Sequence, residues 1–299
     1  MYTQQEIAHC MQDMHWPIQP DLHVYPDNIL QYEEKYAYWD SLALQHHCFF
    51  YKFKNNTNHS IRLTKLPDPC FSIVFEYNSE FATAYVLGIQ SAAYSSTIKP
   101  NTTYFCVKPM SLCGLTRNIG NYANRIVYFS NVWDPKYPSI IDIIAEHDNF
   151  DQQISCFQEY ARQNIINHGY WMSLAEYCAN YLAVSKGAAK LDLLASDTQY
   201  TATYCRHEFK ESYGISLKTF RNLIRFNTVV YNVLQNPRQL MLNVAMQCGY
   251  ADHSHLCNDF KNIAGMNPMK FASLWIEKQP LGSYYDDKFC HLPVYYRRY

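Results

Sequence analysis

His253 and Cys257 stand four residues apart, a spacing that puts an imidazole and a thiol on one face of a helix, where they could chelate a metal. His255 lies between them. A zinc site needs further ligands, and no fourth group is identifiable. His46, His47 and Cys48 form a second cluster. A metal-dependent barrel enzyme would need a larger His and Glu set returning on a later strand, and the sequence holds none. Nor does it hold a convergent acid–base cluster. The 11 cysteines are scattered, odd in number and without zinc-finger spacing. In a chain of this size with no secretory h-region, that usage predicts reduced thiols in the cytoplasm. No catalytic residue, no metal and no cofactor is therefore expected.

A different pattern occurs twice. In "HEFKESYGISLKTF" (207–220), Phe209, Lys210, Gly214 and Phe220 lie 51 residues before Phe260, Lys261, Gly265 and Phe271 of "NDFKNIAGMNPMKF" (258–271). An acid precedes each Phe-Lys, Glu208 and Asp259. Upstream, a short apolar helix ends in a small residue, Ala195 or Ala245. A turn follows at Gln199 or Gly249, then an aromatic, Tyr200 or Tyr250. This is the grammar of a helix-turn-helix. The small residue lets two helices cross closely, the aromatic fills the gap between them, and the second helix keeps one side free.

The elements that must hold these units follow from periodicity. The 299 residues are 48% hydrophobic and 17% charged, enough for two domains with real cores. The formal net charge is −1, with ten basic and fourteen acidic residues through Asn149 and a mildly basic remainder. Residues 1–45 read as irregular. "CFFYKF", "SIRLTKL", "FSIVFEYN", "TAYVLGI", "TTYFCVKP" and "NRIVYF" read as strands separated by polar turns, which argues an antiparallel sandwich or small barrel. A short helix is expected within 136–148. Phe150, Ile154, Phe157, Ala161 and Ile165 form one helical face, suited either to capping the sheet or to packing in a dimer. Further helices are expected near 171–185, 190–196, 201–211, 216–234, 238–248, 252–262 and 268–278. Gly187 and Gly249 suit stops, and Pro237 and Pro268 suit first turns. No run approaches transmembrane length.

Two helix-turn-helix units joined by a long helix resemble the AraC/XylS family of transcription regulators. The resemblance covers about residues 170–276 and is most specific in "QCGYADHSHLCNDFKNIAGMNPMKF". From Ala to Phe the first unit spans 14 residues and the second 15, an asymmetry the family shares. The resemblance implies that each second helix enters a DNA major groove, with adjacent segments about 34 Å apart. The free side of the first reader carries Ala202, Thr203, Arg206, His207 and Lys210; that of the second carries His253, Ser254, Cys257, Asn258 and Lys261. Arg206 suits a guanine edge and Asn258 an adenine edge, with Thr203 and His253 as further base readers. Lys210 and Lys261 suit phosphates. Glu208 and Asp259 depart from the family, which has apolar residues there.

Residues 46–130 resemble the family's cupin-like regulatory domain through "LPDPCFSIVFEYN", with Pro69 in place of Gly, "YVLGIQS" and "YFCVKP". The implied fold is α+β with two domains: an N-terminal cupin-like antiparallel β-barrel or sandwich, and a C-terminal all-α domain with two helix-turn-helix motifs joined by a linker helix. The expected boundaries are 1–148 for the regulatory domain, 149–169 for a helical connector or dimerisation helix, 170–278 for the reading domain and 279–299 for a tail. Phe71, Phe75, Tyr77, Tyr85, Tyr104 and Phe105 are candidate ligand-lining residues, half of which must face elsewhere because strands alternate. The expected partners are double-stranded DNA, a small-molecule effector, a second copy of the chain and, for an activator, RNA polymerase; no membrane is expected. A non-DNA-binding interaction protein and a cupin-like enzyme stand as alternatives.

Overall fold

A computed structural model of the chain describes residues 30–38, 47–109, 115–136, 138–166, 173–235 and 241–278. The tail at 279–299, His46 and Pro237 lie outside the described residues.

Strand parity builds the first half. β4 (Ser72–Tyr77) sends Ile73, Phe75 and Tyr77 to one side and Ser72, Val74 and Glu76 to the other. β7 (Thr103–Pro109) pairs with it antiparallel, setting Phe75 opposite Phe105 and Ile73 opposite Val107. With β1 (Leu30–Tyr38), β2 (His47–Asn55), β5 (Ala82–Leu87) and β8 (Ile126–Tyr128) they form a six-stranded sheet in the order β1-β2-β7-β4-β5-β8. A separate antiparallel pair, β3 (Ile61–Lys65) and β6 (Tyr94–Ile98), covers part of one face. Helices α1 (Ile140–Glu146) and α2 (Phe150–Asn164) cover the opposite face.

The apolar stripe Phe150, Ile154, Phe157, Ala161 and Ile165 belongs to that helical cover and is buried in the sheet's core. Phe157 meets Phe50 and Phe75 edge-on at 6.1 and 5.9 Å between ring centroids. Each such fully buried ring contributes about 1.5–3 kcal/mol. The stripe thus caps the sheet, and it is not left exposed for a dimer. Residues 1–45 are not irregular throughout, because β1 pairs with β2 over nine residues. β6 is also a strand that the pattern of apolar runs does not predict.

The second half is helical. α3 (Leu174–Val184) opens with a capping box between Ser173 and Glu176. α4 (Leu191–Thr198) and α5 (Ala202–Tyr213) form the first hairpin, and α7 (Met241–Gln247) and α8 (His253–Ala264) the second. α6 (Leu217–Gln235) joins them, and α9 (Pro268–Lys278) follows. α6 is shared between two cores. Its Leu217, Phe220, Leu223 and Ile224 pack with Cys205, Phe209 and Tyr213 of α5. Its Phe226, Val229, Val230 and Val233 pack with Val244 and Ala245 of α7 and Leu256 and Phe260 of α8. Among the described residues, no helix is long and apolar enough to cross a membrane.

Candidate nucleic-acid interface

The two second helices are built alike from end to end. The Thr201 hydroxyl accepts from the Tyr204 N–H at 3.2 Å, and an Asp252 carboxylate oxygen accepts from the His255 N–H at 2.7 Å. Each N-cap satisfies a backbone donor that the first turn leaves without a helical partner. At the other end Gly214 (φ 71) and Gly265 (φ 73) adopt the left-handed conformation and donate to the carbonyls of Lys210 and Lys261, both at 2.9 Å. Cys205, Phe209 and Tyr213 are buried on α5; Leu256, Phe260 and Ala264 are buried at the matching positions of α8.

The opposite face is polar and open. Thr203, Arg206, His207 and Lys210 are exposed on α5, and Ala202 is half-buried at its start. On α8, His253, Ser254, Asn258 and Lys261 are exposed and Cys257 is half-buried. The fold therefore puts the ten residues on two solvent-facing helix faces, five to a face. Cys257 and His253 do approach, with Sγ 3.4 Å from Nε2. Burial raises the Cys257 thiol above its ordinary value, which disfavours the thiolate a metal would need. Among the described residues no group of three or more His, Cys, Asp or Glu is placed to hold a metal ion.

The turns differ. Gln199 (φ 61) and Gly249 (φ 67) both take the left-handed conformation. One residue, Tyr200, separates Gln199 from its N-cap, whereas Tyr250 and Ala251 separate Gly249 from Asp252. That extra residue lets Tyr250 turn inward, where it is 6% exposed. Tyr200 stays 52% exposed and packs on Tyr204 at 5.1 Å. Tyr200 thus does not fill the gap in the first hairpin. Ala245 is buried, but Ala195 is only half-buried, and its neighbour Leu194 provides the buried contact.

The two acids have partners on their own helices. The Glu208 carboxylate raises the Tyr204 phenol above its ordinary value. Asp259 Oδ2 lies 3.6 Å from His255 Nε2, and the His255 ring stands edge-on to Tyr250 at 5.2 Å. The second turn is also held from the linker. Arg225 donates to the Gly249 carbonyl and lies over the Tyr250 ring at 4.8 Å. No motif in the sequence marks Arg225 for this.

A cavity of about 250 Å³ lies between the large sheet and the β3–β6 pair. Tyr85 and Tyr104 line it, with Tyr51, Ser72, Glu76 and Asp68 among others. Phe71, Phe75, Tyr77 and Phe105 do not line it. They lie in the core beneath α1 and α2, because their strand parity points them to the helix-covered face. Three charges stand at the wall: Asp68 pairs with Lys108, Glu76 with the half-exposed Lys99 at 2.5 Å, and the Lys65 ammonium lies 5.9 Å from the Phe53 ring centroid.

Two capped helices on one shared linker helix make a pair of helix-turn-helix units. Residues 194–273 match the family model described as a helix-turn-helix domain. No curated protein sequence matches the chain. Among solved structures, the chain is similar to ToxT from Vibrio cholerae O395, at 12% identity over 83% of this chain and 98% of that one, with a TM-score of 0.40. It is similar to the DNA-binding domain of AdpA in complex with a target DNA, at 19% identity over 36% of this chain and 97% of that one (TM-score 0.33). It is also similar to the C-terminal domain of AraT, a response regulator from Geobacillus stearothermophilus, at 19% identity over 40% and 98% (TM-score 0.33).

Proposed function

We propose that the chain is a sequence-specific transcription regulator whose α5 and α8 enter successive major-groove segments of one duplex. The observation that carries this reading is the matched pair of polar helix faces, identically capped and fixed to opposite halves of α6. Arg206 pairs with a guanine edge and Asn258 with an adenine edge, because each offers the bidentate geometry that base requires. Thr203 and His253 contact neighbouring base edges. Ala202, His207, Ser254 and Cys257 complete the two faces. Lys210 and Lys261 meet phosphates, adding affinity without sequence information. The regulatory unit is 1–148, the connector 149–169 and the reading unit 170–278. A small molecule bound in the β half modulates reading.

The test is selection of bound duplexes from a random pool at two salt concentrations. The expected result is two informative blocks about one helical turn apart, with binding that falls as salt rises. Absence of enrichment at low salt with folded protein would reject the reading and leave an interaction protein in its place.

A further inference from the structure

Two short segments close one end of the cavity. One runs through Lys65, Leu66, Asp68 and Cys70, the other through Leu87, Gly88 and Gln90. They are tied to each other by paired backbone bonds, Asp68 N–H to the Gln90 carbonyl at 2.9 Å and Gln90 N–H to the Asp68 carbonyl at 3.1 Å. The Asp68 carboxylate is fixed in turn by Lys108 and by the Cys70 N–H.

Each segment sends one apolar side chain out of the β half, and the two destinations differ. Ile89, 1% exposed, sits in the core of the first reader with Phe209 and Tyr213. Leu66, 7% exposed, sits in the core of the second with Phe226 and Phe260. The link at Leu66 is reinforced next door, where the Asn227 amide of α6 donates to the Pro67 carbonyl at 3.3 Å. The wall therefore touches the cores of both helix-turn-helix units. Close-packed cores transmit shifts because they hold few voids to absorb them.

We propose that the cavity is a ligand site for a small uncharged molecule bearing hydroxyl or amide groups, whose occupancy is transmitted to both readers at once through Leu66 and Ile89. This rests on the reading of the chain as a DNA-binding regulator. The class follows from the wall. Ser72, Ser96, Thr97 and Gln90 offer neutral polar groups beside tyrosine rings; of the charged groups, Asp68 and Glu76 pair with Lys108 and Lys99, and the Lys65 ammonium lies over the Phe53 ring. The volume, just below the roughly 300–1,000 Å³ of common ligand pockets, sets the small size. Coupling arises because an occupant that touches the wall favours one of its arrangements over another.

The experiment fills the cavity from within, so no ligand need be known. Val74→Phe and Ser96→Phe place a ring in it from different strands; two variants guard against one failing to fold. Amide hydrogen exchange is read in α5, α6 and α8, and duplex affinity is read in parallel. Filling is expected to change exchange in both readers, and to shift affinity about fivefold or more. In a Leu66→Val, Ile89→Val background the shift should drop below twofold. Exchange changes confined to the β half, or equal shifts with and without the two link residues, would overturn the proposal. Failure of the wild-type chain to bind any duplex, with the filled variants still changing exchange in both readers, would overturn the regulator reading and leave the coupling standing.

Discussion

Arg225 and Gly249 are 24 residues apart in sequence, yet the Arg225 guanidinium donates to the Gly249 carbonyl while its plane covers the Tyr250 ring. One side chain of the linker thereby holds both the backbone and the aromatic of the second reader's turn. Arg225→Met keeps the bulk and removes the bond to the solvent-exposed turn. The expected loss is about 1 kcal/mol of stability, read by urea unfolding. A second readout separates positioning from bulk stability. On duplexes whose two blocks are moved apart by one base pair, the variant should discriminate less than the wild type; unchanged discrimination would reject the positioning role.

Gly214 and Gly265 share a backbone conformation but not a neighbourhood. A Cβ on Gly265 would meet nothing within 4 Å, whereas one on Gly214 would lie 1.9 Å from the Gly120 carbonyl oxygen of the β half. Gly265→Ala should cost only the left-handed strain, about 1–2 kcal/mol. Gly214→Ala should cost clearly more, because backbone must move against backbone. Thermal unfolding of the two variants compares them directly.

Base reading and phosphate binding predict different mutant phenotypes. Arg206→Ala should cost about 1–3 kcal/mol on the preferred duplex and relax preference at one base position. Lys261→Ala should weaken all duplexes about equally and reduce the salt slope by about 1. Equal loss across sequences for Arg206→Ala would remove its base-reading role.

The thiols make stability depend on alkaline pH. Burial pushes Cys178 and Cys248 from an ordinary value near 9 up to about 12. The unfolded chain therefore loses these protons first. The contribution is fully present below pH 9 and disappears as pH rises towards 12. Urea midpoints at pH 8 and pH 10.5 should show the fall, and Cys248→Ala should lessen it.

The helical half was legible because its apolar residues repeat at helical period and its turns carry Gly or a polar residue at the required places. β1 was not, since "LQYEEKYAY" lies at the sheet's edge with Gln31, Glu33, Glu34 and Lys35 exposed, and so lacks a strong apolar run. β6, "YSSTI", ends in its one fully buried residue, Ile98. The reading faces could be taken from helix geometry, but the cavity could not. β4 and β7 are buried on both faces, so their sequences give no sign of which parity meets the helices. That is why Phe75 and Phe105 resemble cavity residues and are not. Tyr200 misleads for a narrower reason: the first turn is one residue shorter, too short to bring its ring inside.

The linker helix also acts as a ruler with coarse graduations. Its 19 residues span about 28 Å at 1.5 Å each. Adding or removing one residue would move the second reader by only that small rise, but would rotate it by about 100°. The spacing between the two faces therefore cannot drift by small steps. A chain that reads a differently spaced site would have to change this helix by nearly whole turns, or reshape the hairpins at its ends.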